Sequence, residues 1–165
     1  MRTSTADVDD AFYQIGVPEV ASWFGIDLGM KGSEVLSWGC SSAWSDLEKR
    51  QLDIDPCVTY YPVIEVMPMG WSWALHFCHQ LVRHLAVSGS GVPDLEVVAE
   101  RSPAPLVSGE RPALGIYVDN VYAVGARLGD SSRLVASFVK EAARQEVAVH
   151  IEGEEELIGE VLAWS

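Results

Sequence analysis

The chain has 165 residues, enough for one domain with a real core and too few for two comfortable ones. Apolar residues make up 48% and include six Trp, which excludes global disorder, and no apolar run approaches the roughly eighteen residues of a membrane span. The net charge of −13, with 11 scattered Lys and Arg, argues against strong nucleic-acid binding by this chain alone, because phosphate neutralisation supplies most of that affinity. Cys40, Cys57 and Cys78 are isolated and odd in number, so neither a disulfide framework nor a cysteine zinc site is expected. The N-terminus MRTSTADVDDAF carries no signal-peptide pattern. An intracellular protein, cytoplasmic or nuclear, is the expectation.

In chain order, Thr3 to Val8 reads as a short strand running into Asp7, Asp9 and Asp10. Pro18 opens a short helix through Trp23, since its fixed φ suits a first helical position. Lys31 to Asp55 has too weak a periodicity to place. Val58 to Val66 reads as a strand whose Pro62 marks an edge or a bulge. A helix follows, capped by Ser72, with Ala74/Leu75, Phe77/Cys78, Leu81/Val82 and Leu85/Ala86 on one apolar stripe and His76, His79, Gln80, Arg83 and His84 on the other face. Ser88 to Pro112, rich in Gly, Ser and Pro, reads as a flexible insertion.

Gly115 to Gly125 then holds two apolar runs around Asp119-Asn120, a two-residue hairpin turn by its residue types. Asp130 to Glu146 is a second amphipathic helix, with Leu134, Phe138 and Ala142 at four-residue spacing. Strands near Val147–Ile151 and Ile158–Trp164, separated by an acidic turn Glu152–Glu156, close the chain. This succession predicts an α+β fold, an antiparallel sheet with helices packed on one face.

The chemistry-bearing residues are acids at strand ends. Asp7 would end the first strand and Asp119 would sit at the hairpin tip; if those strands are neighbours, the two carboxylates converge. Mg²⁺ takes oxygen ligands and often only one or two carboxylates. Two such ions can serve both the attacking and the leaving oxygen of a phosphoryl transfer. Solvation of a loop by Asp7, Asp9 and Asp10 is the simpler alternative. His76, Cys78, His79 and His84 lie close in sequence, but Cys78 belongs to the apolar stripe and no second cluster accompanies them, so no zinc site is expected.

Three segments share a pattern in the right order. Asp7-Val-Asp-Asp-Ala-Phe-Tyr-Gln-Ile15 resembles the first palm motif of reverse transcriptases, Asp-Leu-x-x-Ala-Phe/Tyr-x-Gln-Ile. Val66-Met-Pro-Met-Gly-Trp-Ser-Trp-Ala74 resembles the second, a Leu/Met-Pro-x-Gly turn leading into a helix, and Gly115 to Gly125 is similar to the third, Tyr-x-Asp-Asp between apolar strands. Glu156 to Trp164 is weakly similar to the segment that follows the palm in retroelement enzymes.

The resemblance implies a single palm domain over 1–165 with a ferredoxin-like antiparallel sheet. It implies RNA-directed DNA polymerase chemistry of retrotransposon type, with Mg²⁺ or Mn²⁺ as cofactor and template-primer and deoxynucleotide as partners. Asp7 and Asp119 match its catalytic, metal-binding carboxylates, with the Val8 carbonyl and Asn120 beside them. Phe12 matches the ring beneath the incoming sugar, a role that a core aromatic at this spacing would mimic. Met69 and Gly70 match the turn near the nucleotide. Asn120 departs from the pattern, standing where a second aspartate is usual. The chain begins six residues before Asp7 and ends at Ser165, so basic fingers and a thumb are expected to be missing, as in a fragment or degenerate copy that is inactive alone. A non-catalytic scaffold derived from the palm is the alternative.

Overall fold

The structure is a computed structural model that describes residues 1–45, 47–93, 97–98, 107 and 111–156, the last three by backbone only. The chain divides into two compact units, Met1–Ile15 with Met69–Ser165, and Gly16–Pro68.

The larger unit is built on a five-stranded, mostly antiparallel sheet. Its strands are β1 (Arg2–Val8), β6 (Val97–Val98), β7 (Ala113–Tyr117), β8 (Asn120–Gly125) and β9 (Val149–Glu156), in the spatial order β6-β7-β8-β1-β9. Among the described strands only the β6–β7 pairing is parallel. Helices α2 (Ala74–Ser90) and α3 (Asp130–Arg144) complete the unit. The architecture is α+β, as the sequence predicts.

Side-chain alternation explains which sheet face the helices cover. Ser4, Ala6 and Val8 of β1 and Val121 and Ala123 of β8 are buried, whereas the intervening residues are half-buried. The Ser4 hydroxyl lies 3.1 Å from that of Ser131 on α3, which identifies the buried face as the one under the helices. Leu134, Val135, Phe138 and Ala142 fill it from α3, and Cys78, Val82, Leu85 and Ala86 fill it from α2. The helices approach closely at Gly89, where a Cβ would stand 2.6 Å from the Ser137 carbonyl oxygen.

The smaller unit is held by local pairing. Here β2 (Met30–Lys31) pairs with β5 (Thr59–Tyr60), β3 (Ser42–Ser45) pairs with β4 (Arg50–Asp53), and a six-residue helix α1 spans Gly32–Ser37. Pro18–Phe24 forms a 3-10 helix, in line with the Pro18 signal.

Several sequence expectations are corrected. The predicted Val58–Val66 strand shortens to Thr59–Tyr60 followed by single bridges at Val63 and Val66; Pro62 has no N–H to give a ladder. Ser72 does not cap α2: Trp73 is the N-cap and no side chain caps it. Leu75 and Phe77 face outward, so the buried stripe is narrower than predicted. Glu152–Glu156 is no turn but the continuation of β9 along β1. A register shift between Thr5 and Ala6 absorbs the extra residue, and Gly153 takes the φ of +140° that goes with it. Within the expected insertion Ser88–Pro112, Ser88–Ser90 finish α2 and Val97–Val98 join the sheet as β6. The expected strand Ile158–Trp164 and the rest of the insertion, apart from 91–93, 107 and 111–112, lie outside the described residues.

Candidate functional site

The candidate site forms where β1 meets the β7–β8 hairpin. In the antiparallel register Asp7 stands opposite Asn120, and the Val8 amide donates to the Asp119 carbonyl oxygen at 3.2 Å. Asp119 is therefore fixed beside the end of β1 by backbone geometry. The hairpin loop is Val118-Asp119, not Asp119-Asn120: Tyr117 pairs with Asn120, which opens β8. Val118 rather than a Gly or Asn takes the positive φ, +56°, that the first loop position requires. A β-branched residue in that region is sterically strained, of the kind that concentrates at functional sites.

The electrostatics follow from this juxtaposition. Burial pushes the Asp7 carboxyl above its ordinary range, and the Asp119 charge pushes it the same way. The nearby His150 opposes that shift, and Glu152 and Asp9 add to it more weakly. Asp7 Oδ1 is buried without a hydrogen-bond partner, a costly arrangement for a carboxylate unless something else satisfies it. The thiol of buried Cys78 on α2 is pushed up to about 11, first by burial and then by Asp119 and Asp7, which locates it within reach of both charges.

Two residues join the site that the sequence reading did not assign. His150 is the other cross-strand neighbour of Asp7, and its Nδ1 lies 2.6 Å from Asp9 Oδ1. That hydrogen bond raises its pKa, helped by the charges of Asp9, Asp7 and Glu152 against a smaller effect of burial. Gln14 clamps the first turn to the start of β9. Its amide nitrogen donates to the carbonyls of Asp9 and, at 3.1 Å, Ala148, while its oxygen accepts from the Ala148 amide at 2.7 Å. Gln14 lies inside the quoted first motif, which was the available signal. His150 had none, because its place depends on the register of β9.

The remaining predicted residues are less closely joined. Phe12 sits half-buried in the 3-10 turn Ala11–Gln14 just after β1. Met69 is 68% exposed on the turn that leads into α2. Gly70 there has φ +98°, with open space around a would-be Cβ, so backbone conformation and not crowding favours glycine. Among the described residues, neither makes a hydrogen bond to Asp7 or Asp119.

For a hard cation the donor set is two carboxylates, the orphaned Asp7 oxygen included, which suits Mg²⁺ or Mn²⁺. Asn120 is less favourable. Its side-chain nitrogen donates to Asp119 Oδ1 at 3.0 Å, occupying an oxygen that a cation would use. Among the described residues no group of three or more His, Cys, Asp and Glu is arranged to hold a metal, and no helix is long and apolar enough to cross a membrane. No protein-family model matches the chain, and no curated protein is significantly similar to it.

Proposed function

We propose that the larger unit is a polymerase-type palm, the part of a retroelement reverse transcriptase that carries the carboxylates for RNA-directed DNA synthesis. The observation that carries this reading is the Asp7–Asn120 register, which brings two acids far apart in sequence, Asp7 and Asp119, to one end of the paired central strands β1 and β8. The topology supports it. Leaving aside the two-residue β6, the order β7-β8-β1-β9, with α2 before β7 and α3 between β8 and β9, is compatible with a β-α-β-β-α-β ferredoxin-like unit into which the smaller unit is inserted.

In the reaction so read, a primer 3′-hydroxyl attacks the α-phosphorus of a deoxynucleotide, a P–O bond forms, and pyrophosphate leaves. Mg²⁺ or Mn²⁺ held by Asp7 and Asp119 would supply charge neutralisation at the reacting oxygens. The protein's part is to hold the two carboxylates at a rigid strand end, so that little reorganisation is needed during the reaction. Phe12 would lie under the sugar, and Met69 and Gly70 along the nucleotide. With a net charge of −13, binding of template-primer by this chain alone would be weak. An intracellular setting, cytoplasmic or nuclear, belongs to the same reading.

A second reading, a scaffold that keeps the palm fold without catalysis, is favoured by the Asn120–Asp119 hydrogen bond. Calorimetric titration with Mn²⁺ and Mg²⁺ separates the two. The palm reading expects binding that is lost in Asp119→Ala and tightened by about tenfold in Asn120→Asp, which adds a charged oxygen ligand. Absence of specific binding in both wild type and Asn120→Asp would leave the scaffold as the function.

A further inference from the structure

The smaller unit carries a cavity unrelated to the carboxylate pair. One wall is an extended segment in which Tyr61, Val63 and Glu65 alternate with Pro62 and Ile64, so that the three share a face by strand periodicity. Backbone hydrogen bonds hold this segment in place: Ile26 N to Pro62 O at 2.9 Å, Ile64 N to Phe24 O at 3.1 Å and Val17 N to Glu65 O at 2.7 Å. Pro18, Glu19 and Ala21 of the 3-10 helix and Trp44 of β3 complete the lining of a cavity of about 580 Å³.

The chemistry of that lining is selective. Among the described residues lining it, the only charged groups are the carboxylates of Glu19 and Glu65, and neither forms an ion pair with another described residue. Both rings belong to exposed residues, Trp44 at 57% and Tyr61 at 63%. Aromatic faces carry negative quadrupole charge and attract cations, and carboxylates nearby add their own attraction. An anion would meet two like charges here. A hard metal ion, which takes about six or more oxygen ligands, would find few here besides the carboxylates of Glu19 and Glu65. A cation with an apolar stem satisfies every wall, its charge on Glu19 and Glu65 and its methylenes against Val63, Pro18 and the rings.

We propose that this cavity binds an organic ammonium group, the head of a lysine side chain or of a free alkylamine. The acidic chain as a whole favours the approach of such a ligand. The proposal is independent of the polymerase reading and stands or falls separately from it.

The test uses the full chain, isotope-labelled, with the Trp44 indole N–H followed by NMR during titration. The probes are N-acetyl-lysine methylamide, its side-chain-acetylated counterpart, butylammonium, and a short lysine-containing peptide. The amine probes are expected to shift the Trp44 signal saturably, and the acetylated, uncharged probe to do so at least about tenfold more weakly. Glu19→Gln with Glu65→Gln is expected to weaken binding by about tenfold, and Tyr61→Leu by about fivefold, with the remaining amide spectrum unchanged. Tighter binding of the peptide than of butylammonium assigns the site to lysine on a polypeptide; equal binding assigns it to a free amine. No saturable shift with any amine, or equal binding of the acetylated probe, or binding indifferent to the double substitution, overturns the proposal.

Discussion

In the larger unit Phe138, Leu85, Leu114, Val82 and Val121 are fully buried, while among the described residues of the smaller unit only Ala21, Ile54 and Met67 are buried apolar side chains. The smaller unit instead exposes Trp23, Trp38, Trp44, Tyr61 and Leu47. Both regions are rich in apolar residues, so composition does not separate them. Spacing does. In the larger unit apolar residues recur at helix and strand periods and therefore fall on common faces that can be buried together. Between Lys31 and Asp55 they recur at no fixed period, and the chain makes a six-residue helix and strands that pair only two at a time among the described residues. Trp44 and Tyr61, both exposed, line a cavity instead of a core.

The sharpest way to break this contrast is to truncate one apolar side chain in each unit. Phe138→Ala is expected to cost about 3–5 kcal/mol of unfolding free energy, the range for a large buried aromatic. Leu47→Ala, at a residue 94% exposed, should change it by less than about 0.5 kcal/mol. Denaturant titration of both variants reads the difference, and equal effects would mean that the larger unit does not carry the core.

A second contrast lies within the larger unit, between its core and its strand-end site. Asp7 has a raised pKa in the folded protein, so the folded state binds its proton more tightly than the unfolded chain does. Its contribution to stability is fully present below the unfolded carboxylate pKa and is lost as pH rises through the folded value. Asp7→Asn removes that loss, and is expected to raise stability at neutral pH and to leave it unchanged in acid. Denaturation at two pH values checks it; a loss of stability at neutral pH would show that Asp7 is a structural residue. A smaller effect is expected at the hairpin. Val118→Gly relieves a β-branched residue at φ +56° and should stabilise by about 0.5 kcal/mol, after the added freedom of the unfolded chain is subtracted.

The same contrast governs what could be read from the sequence. The strand ending near Asp7 and the helix carrying Leu134 and Phe138 were legible, because period bears on them directly; the pairing of the Asp7 strand with the hairpin was a condition in the sequence, met by the register of β1 on β8. The hairpin loop was misread by one residue. Residue types favour Asp119-Asn120, yet the register puts Val118 in the strained position and makes Asn120 a strand residue. The acidic run Glu152–Glu156 looked like a solvated turn, but an edge beside β1 supplies backbone partners that charge patterning does not reveal. His150 was invisible for a related reason, since its place next to Asp7 depends on where β9 shifts register near Gly153. Between Lys31 and Asp55, in the smaller unit, no periodic signal existed to be read.

The central claim is that the Asp119 carboxylate stands close enough to Asp7 to act on its charge. Its most direct test is the Asp7 carboxyl pKa, followed by side-chain carboxyl NMR in the wild-type chain and in Asp119→Asn. The account predicts a value above the ordinary aspartate range in the wild type, falling when the neighbouring charge is removed, with the part due to burial remaining. An ordinary Asp7 pKa, unmoved by Asp119→Asn, would contradict it.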